Sequence, residues 1–553
     1  MVVAFLAAAY SQLRVHVLGR DQIIARALAT NRFTVSRVDK ARRGAIFTAD
    51  GKPLAQDEET YEFGVNFKKV PHSQSFFVEL GAAADVPASD LAQLAASGAG
   101  NRVWKDLVPS RKAQEIRRVK REWRADGVSL APTGRRVYPF GEAAAGFVGL
   151  VRGGEALGGL ELSQNKPLSG RDGLRVGLVD REGAYLPLRL ESETRERLDG
   201  LAVTTTVDSS LQQVAAASIK AAVEKNAADN GVAIVMDPAT GDILAMANWP
   251  SFDPSAAQRA VGRNLKAADY NPNYMGSFEP GSTFKILTLA KALSEGVAGT
   301  ADTFHCTGEM SMGKAKPVRC DLHHGTRAHG TMDLTRVIAK SCNIASARWS
   351  MAIGYDGMLQ YLRDLGLLSK TSMGLPFEKA GQFNLAEWDK RRQIADVGFG
   401  QSLNATPAAL VSAFGMLANG GVRMEPRLIK RIGETDHPVR EAGRIVSELA
   451  ADELLKYMEA VIETDAGTGK SLRIPGYRLG GKTGTAQRIG HSGHVSNFVG
   501  FVPAQDPKAV ILVMVNNPKM GAYYGALVAG PVFVDVARAV IRRYAIPPTE
   551  TVQ

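Results

Sequence analysis

GVAIVMDPATGDILAMAN (231–248) is two apolar runs joined by Asp237, Pro238, Ala239, Thr240 and Gly241, a turn-forming set that reads as a β-hairpin. Three further strand candidates wait until the last quarter of the chain: YRLGGKTGTAQ (477–487), HVSNFVGFVPA (494–504) and KAVILVMVNN (508–517). Helical segments fill the interval, among them TFKILTLAKALSEG (283–296), LTRVIAKSCNIASARWSMAI (334–353) and PAALVSAFGMLANGG (407–421). Two early strands and three late ones, with helices between, predict one sheet covered by helices in a mixed α/β (α+β) domain. Just upstream, LAVTTTVDSSLQQVAAASIKAAVEKNAA (201–228) gives a strand, Asp208 as a helix N-cap and a long alanine-rich helix. The boundary of this domain is placed near Gly200. Residues before it, from about 20, are richer in charge, short strands and turns.

At 553 residues the chain is too long for one ordinary domain, and its 45% apolar content is ample for packed cores. The net charge of +11 is spread along the chain and gathers into no recognition helix or zinc module, which argues against nucleic acid. The densest basic run, 102–124, also holds Trp104, Ile116, Val119 and Trp123, and reads as an amphipathic helix with a solvated basic face. A surface for anionic lipid or glycan is the other reading.

The first residues, MVVAFLAAAYSQLRVHVLGR, are apolar only to Ser11 and Gln12, short of the ~20 residues that cross a bilayer. They read as the trailing part of a membrane anchor, as an anchor extended through Val15, Val17 and Leu18, or as an ordinary amphipathic helix. Three cysteines are present, Cys306, Cys320 and Cys342. The first two share a loop with His305, His323, His324 and His329, yet the spacings fit no zinc template, so no metal is expected. A Cys306–Cys320 disulfide and a pair of free thiols both stay open.

Three short motifs carry chemistry. In GSTFK, Ser282 precedes Lys285 by one helical turn, so a hydroxyl and an amine share one face. Pro280 and Gly281 interrupt the chain just before, leaving Ser282 at the positive end of a helix. SCN (341–343) and KTGTA (482–486) are weak signals alone, as is STFK. Strand alternation sends Lys482 and Gly484 to one side and Thr483 and Thr485 to the other. Together, in this order, the three are the combination that marks serine β-lactamases and penicillin-binding proteins.

The resemblance extends along most of the chain. RRGAIFTADGKPLA from Arg42, GRRVYPFGEAAAGFVG from Gly134, GGLE from Gly158 and TTTVDSSLQ from Thr204 resemble segments of class B penicillin-binding proteins. So do YMGSFEPGSTFK, VGFGQSLNATP, LANGGV, AGTGKS and GGKTGTAQ in the second domain, and the closing stretch from Phe498 resembles the division-type branch, the FtsI group. Departures are Cys342 inside SCN, Ser402 in GQSL where glycine is common, and the triplet TAD at 48–50.

This resemblance implies a transpeptidase-like domain with a five-stranded antiparallel sheet, behind an elongated pedestal. The expected divisions are 1–19 anchor remnant, 20–200 pedestal or dimerisation domain, 201–545 transpeptidase domain and 546–553 tail. It implies that Ser282 attacks a D-alanyl-D-alanine stem, that Lys285 is its base, and that Ser341 passes a proton to the departing amine. Asn343 would hold the peptide amide and Lys482 the ligand's carboxylate, with the Thr483 and Thr485 hydroxyls. The Ser282 and Thr485 N–H groups would form the oxyanion hole, beside Gly484. No cofactor is implied. Implied partners are peptidoglycan stem peptides, β-lactams and an FtsW-type membrane glycosyltransferase, with the catalytic domain on the periplasmic face of the inner membrane. An elongation-type transpeptidase, a D,D-carboxypeptidase or β-lactamase, and a non-catalytic scaffold are the alternatives.

Overall fold

The computed structural model describes residues 2–14, 34–179, 185–186, 195–259, 276–321, 327–383, 390–487 and 492–549. They divide into two compact units, one of Met1–Ala45, Glu59–Gly134 and Lys166–Leu201, the other of Ile46–Glu58, Arg135–Asn165 and Ala202–Gln553. A boundary falls at Leu201, but 46–58 and 135–165 also join the larger unit, for reasons of hydrogen bonding. Val203–Thr205 pairs in parallel with Ile46–Phe47 and antiparallel with Ile429–Ile432. Arg136 of the RRVYPF stretch donates its Nε to the buried Glu161 of GGLE at 2.8 Å. Arg136 also pairs with Asp57 at 3.1 Å, so losing Arg136 would leave two carboxylates, one of them buried, without this cation.

The larger unit is built from helices α1 (Ser209–Lys225), α2 (Phe284–Ser294), α3 (Leu334–Ala339), α4 (Asn343–Asp364), α5 (Pro407–Ala418), α6 (Glu448–Glu463) and α7 (Gly530–Arg543). Its sheet holds β1 (Asn230–Met236), β2 (Ile243–Trp249), β3 (Gly480–Gln487), β4 (His494–Val502) and β5 (Ala509–Asn516), in the order β2-β1-β5-β4-β3. All four pairings are antiparallel. The five strands expected from the sequence are therefore one sheet. Its most apolar members, β1 and β5, lie inside, and the Lys- and Thr-containing β3 lies at an edge, where poor sheet formers cost least.

One face is covered by α1 and α7: Leu211, Ala215 and Ile219 meet Ala233, Val235, Ile511 and Val513, together with Val532, Phe533, Val536 and Val540. Fully burying a side chain of the Leu, Ile or Val kind contributes roughly 1.5–3 kcal/mol each. α5 packs on the opposite side of β1 and β5, and α6 packs on β3. α1 starts where Asp208 accepts from the N–H groups of Ser210 and Leu211, the expected N-cap, and Asp208 also pairs with Arg543 at the end of α7. α2 is buried on nearly every side, with Phe284, Ile286, Leu287, Leu289 and Ala290 all inside. That burial fixes the residues at its start.

In the smaller unit, helices Gln74–Ala84, Ala88–Ala96 and Ser110–Glu122 enclose Phe63, Val65, Phe67, Phe76 and Leu80. The basic run is a helix only from Ser110. Asn101–Val103 is a strand, Trp104 packs on Phe63 at 4.8 Å, and Pro109, which has no backbone N–H, fits just ahead of the first helical turn. Within the helix Ala113, Ile116 and Val119 face inward, as the amphipathic reading expects.

The N-terminal helix spans Val2–Leu13; the extension through Val15, Val17 and Leu18 lies outside the described residues. Among the described residues no helix is long and apolar enough to cross a membrane.

Candidate active site

Ser282 lies in a short 3₁₀ turn, Gly281–Thr283, that runs directly into α2. The turn is possible because Gly281 has φ +56°, in the left-handed region that favours glycine. Two bonds pin it: Gly281 N–H donates to the Gly400 carbonyl at 2.9 Å, and Thr283 Oγ1 donates to the Pro280 carbonyl at 2.8 Å. Ser282 stays half-buried, whereas Lys285 is wholly buried. Residues i and i+3 eclipse in a 3₁₀ turn, so the two still share a side. Lys285 Nζ, however, donates to Ser341, to its carbonyl at 2.7 Å and its Oγ at 2.9 Å. Among the described residues no hydrogen bond joins Lys285 to Ser282.

Ser341 owes its position to the way α3 ends. Its N–H donates to the Ile338 carbonyl and the Cys342 N–H to the Val337 carbonyl, each at 3.0 Å. Those two bonds, with Ser341 at φ +57°, make a Schellman closure with serine where glycine is usual. A non-glycine residue held there costs of order 1 kcal/mol or more, a strain commonly found at functional sites. The reversal separates α3 from α4, and Asn343 opens α4 with its Nδ2 donating to the Arg319 carbonyl at 2.8 Å.

Lys482 on β3 completes the group. It is also wholly buried, and its Nζ donates to Ser341 Oγ at 3.1 Å and to the Thr483 carbonyl at 2.9 Å. A serine hydroxyl has two lone pairs and one proton. Both lone pairs of Ser341 are taken by the two lysines, so its own proton is left for a third partner. Burial comes first in lowering the affinity of both amines for protons. It pulls Lys285 down to about 8, against the opposing charge of Asp321, and Lys482 well below the ordinary lysine value, helped by the nearby Lys285.

β3 shows the expected alternation: Lys482 and Gly484 are buried, Thr483 and Thr485 half-buried. Thr483 Oγ1 lies 3.0 Å from Thr468 Oγ1, and Thr485 Oγ1 accepts from the Gly525 N–H at 3.2 Å. The Ser282 turn sits against this edge strand: a Cβ on Gly281 would lie 3.1 Å from the Ala486 Cβ and 3.2 Å from the Thr485 carbonyl oxygen. All eight residues singled out from the sequence thus lie on four neighbouring segments: the turn before α2 with the first residues of α2, the α3–α4 reversal, the start of α4 and β3.

A family model for the penicillin-binding protein transpeptidase domain matches residues 231–538. The chain belongs to this family. A second model, the penicillin-binding protein dimerisation domain, matches residues 38–205 of this class B penicillin-binding protein. Stage V sporulation protein D of Bacillus subtilis is 31% identical over 460 residues, covering 80% of this chain and 68% of that protein. The peptidoglycan D,D-transpeptidase FtsI of Buchnera aphidicola is 29% identical over 436 residues, 76% of this chain and 72% of that one. Among solved structures, penicillin-binding protein 3 of Mycobacterium tuberculosis in complex with aztreonam superposes with a TM-score of 0.69 at 26% identity. That match covers 93% of this penicillin-binding protein and 98% of the other chain.

Two residues around the site went unread in the sequence. Thr468, in AGTGKS, meets Thr483. Asn497, fully buried on β4 opposite Gly484, donates its Nδ2 to the Pro280 carbonyl at 3.2 Å and so ties the Ser282 turn to the sheet. An asparagine inside an apolar strand was the available signal, since buried amides are retained where they bond something. Gly484 makes room for it: a Cβ there would lie 1.9 Å from Asn497 Oδ1. Gly484→Ala is therefore expected to cost about 1–3 kcal/mol of stability through overpacking and to slow penicillin acylation several-fold. Adding Asn497→Ala should recover the stability without the rate. Thermal melting and acylation kinetics check both, and a single variant that melts with the parent contradicts the packing argument.

The cysteines are all free and buried. Neither Cys306 nor Cys342 is bonded to Cys320, and His323 and His324 lie outside the described residues.

Proposed function

We propose that this chain is a peptidoglycan D,D-transpeptidase acting through a serine acyl-enzyme, and that β-lactams acylate the same serine. The observation that carries this is the sharing of one hydroxyl, Ser341 Oγ, by two fully buried amines beside the Ser282 turn. An alcohol needs a base to become a useful nucleophile. When Lys285 is neutral, its two N–H bonds serve the Ser341 carbonyl and Oγ, and its lone pair is left for the Ser282 proton.

Ser282 Oγ then attacks the carbonyl between the two D-alanines of a stem peptide. The Ser282 and Thr485 N–H groups receive the developing oxyanion, and donors of this kind are each worth roughly 2.7–4 kcal/mol. The bond to the terminal D-alanine breaks, and its nitrogen takes the proton offered by Ser341. Lys285 makes good that proton through its bond to Ser341 Oγ. Lys482, Thr483 and Thr485 hold the terminal carboxylate, and Asn343 the peptide amide. An amine of a neighbouring stem attacks the ester, closing the cross-link and releasing Ser282.

The division role, in septal wall synthesis beside an FtsW-type glycosyltransferase, follows the likeness of the closing segments. The membrane anchor follows the apolar first residues, and the periplasmic placing of the catalytic unit follows the class B resemblance. Residues 20–200 serve as pedestal and docking module. The test is incubation with a D-alanyl-D-alanine stem peptide and an amine acceptor. Cross-linked product and free D-alanine are expected. Free D-alanine with only hydrolysed stem, or fast turnover of a β-lactam, would replace this reading with a hydrolase.

The pH dependence has a definite sign. The neutral amine is the active form, so the rate rises with pH. With Lys285 near 8, acylation by a penicillin should increase about tenfold from pH 7 to 9 and then level off. A rate that keeps climbing to the ordinary lysine value of 10.5 would show that burial does not tune this amine.

A further inference from the structure

Cys306, Cys320, His329 and Cys342 are far apart in the chain, yet their ligand atoms all lie within 4.8 Å of one another. Four segments bring them there. Thr303–Cys306 pairs antiparallel with Gly330–Asp333, with Cys306 opposite Gly330, so His329 arrives beside Cys306. Cys320 follows the hairpin strand Ala315–Arg319, its N–H held by the Gly308 carbonyl at 3.1 Å. Cys342 is the residue on which α4 begins. The three thiols are wholly inside the protein.

The sulfur spacings point to an occupant. Cys320 Sγ lies 3.7 Å from Cys306 Sγ and 3.7 Å from Cys342 Sγ. Thiolates at ~2.3 Å from a tetrahedral zinc ion are separated by about 3.8 Å. A disulfide explains the arrangement less well. Cys320 is equally near two partners, and joining either pair leaves the third thiol out. The donor set of three sulfurs and one imidazole nitrogen suits zinc, and with four protein ligands no position is left open for catalysis.

We propose that these four residues form a structural zinc site that fixes the catalytic loop. Cys342 sits between Ser341 and Asn343, so a metal bound to its sulfur anchors the strained reversal that aims the Ser341 hydroxyl. The same assembly holds Asn343, whose Nδ2 bonds the Arg319 carbonyl next to Cys320. Arg327 donates to the Cys320 carbonyl at 2.6 Å and brings positive charge to a centre carrying three thiolates. Binding displaces the thiol protons and leaves every oxidation state unchanged. The positioning role rests on the transpeptidase reading; the metal site itself does not.

The test uses the full chain, reconstituted with excess Zn²⁺ and desalted. About one zinc per chain is expected by elemental analysis, with release on thiol modification. Replacement by Co²⁺ should give thiolate-to-cobalt charge-transfer absorption. Chelation should lower the melting temperature and slow penicillin acylation, and Zn²⁺ should restore both. Cys306→Ser and His329→Ala should lose most of the metal, whereas Ser282→Ala should keep it and lose only acylation. Zinc retained in a parent that acylates nothing would sink the enzymatic reading and leave the site standing. Absence of zinc after reconstitution, or a Cys306–Cys320 or Cys320–Cys342 disulfide in non-reduced peptides, would overturn the proposal.

Discussion

Lys285→Met is expected to slow acylation of the protein by penicillin by about 10²–10⁴-fold, the usual worth of general-base assistance, while leaving the melting temperature unchanged or raised. Methionine fills a similar volume but brings no lone pair on nitrogen, so Ser282 keeps its proton. The stability side follows from burial. Lys285 is 0% exposed, and holding an ionised amine away from water costs folding free energy that a methionine of similar size does not. Ser341 keeps one donor, Lys482, so the reversal before α4 remains anchored. Lys285→Arg should be as inactive as methionine, because a guanidinium stays charged throughout the accessible pH range. Stopped-flow acylation and a thermal melt measure the two effects. Acylation within a few-fold of the parent in either variant would remove Lys285 from the role of base.

A gain of stability on losing Lys285 fits the way this site is built. Two amines are buried around one hydroxyl, a serine occupies a left-handed position that glycine fills more easily, and Asn497 Oδ1 is buried with no hydrogen-bond partner among the described residues. Each feature costs folding free energy, and each adjoins the same group of residues around the Ser282 turn. The surrounding packing, with α2 buried on nearly all sides and the sheet covered by α1 and α7, offsets the cost. Stability and activity are opposed at such sites.

The central sheet was readable because its signals are local. Apolar runs such as AIVM and AVILVMV, with DPATG between β1 and β2, announce strands and a turn without help from distant residues. The Asp208 cap was equally local. The reversal at Ser341 was less so, since AKSCNIAS has helix-compatible residues on both sides and no glycine to mark the left-handed residue. The basic run 102–124 misled for the opposite reason, as its periodicity was real but began only at Ser110, past Pro109.

Long-range pairing was invisible. Nothing in RRVYPF or GGLE says that Arg136 and Glu161 meet, or that Ile46–Phe47 joins a strand beginning at Val203. The sulfur cluster escaped for the same reason. Its cysteines are 14 and 22 residues apart, wider than the short paired spacings by which zinc modules are recognised, and only the folded hairpins close the gaps. Ser282, the two amines and the strand motif were legible as candidates because acyl-transfer chemistry restricts which side chains could serve. Thr468 and Asn497 support them from positions where many residue types would be unremarkable.

Ser282→Ala should abolish covalent capture altogether, since no other hydroxyl on the turn before α2 reaches the same place: Thr283 is wholly buried, and its Oγ1 is committed to the Pro280 carbonyl. The buried lysines, Ser341 and β3 are untouched by losing one oxygen, so the variant should still fold and melt close to the parent. The decisive measurement is the intact mass of both proteins after exposure to a penicillin. The parent should gain the mass of a single β-lactam and hold it for many minutes, and the variant should gain nothing. An adduct on Ser282→Ala, or a parent that never gains one, would contradict the assignment of this cleft to acyl transfer.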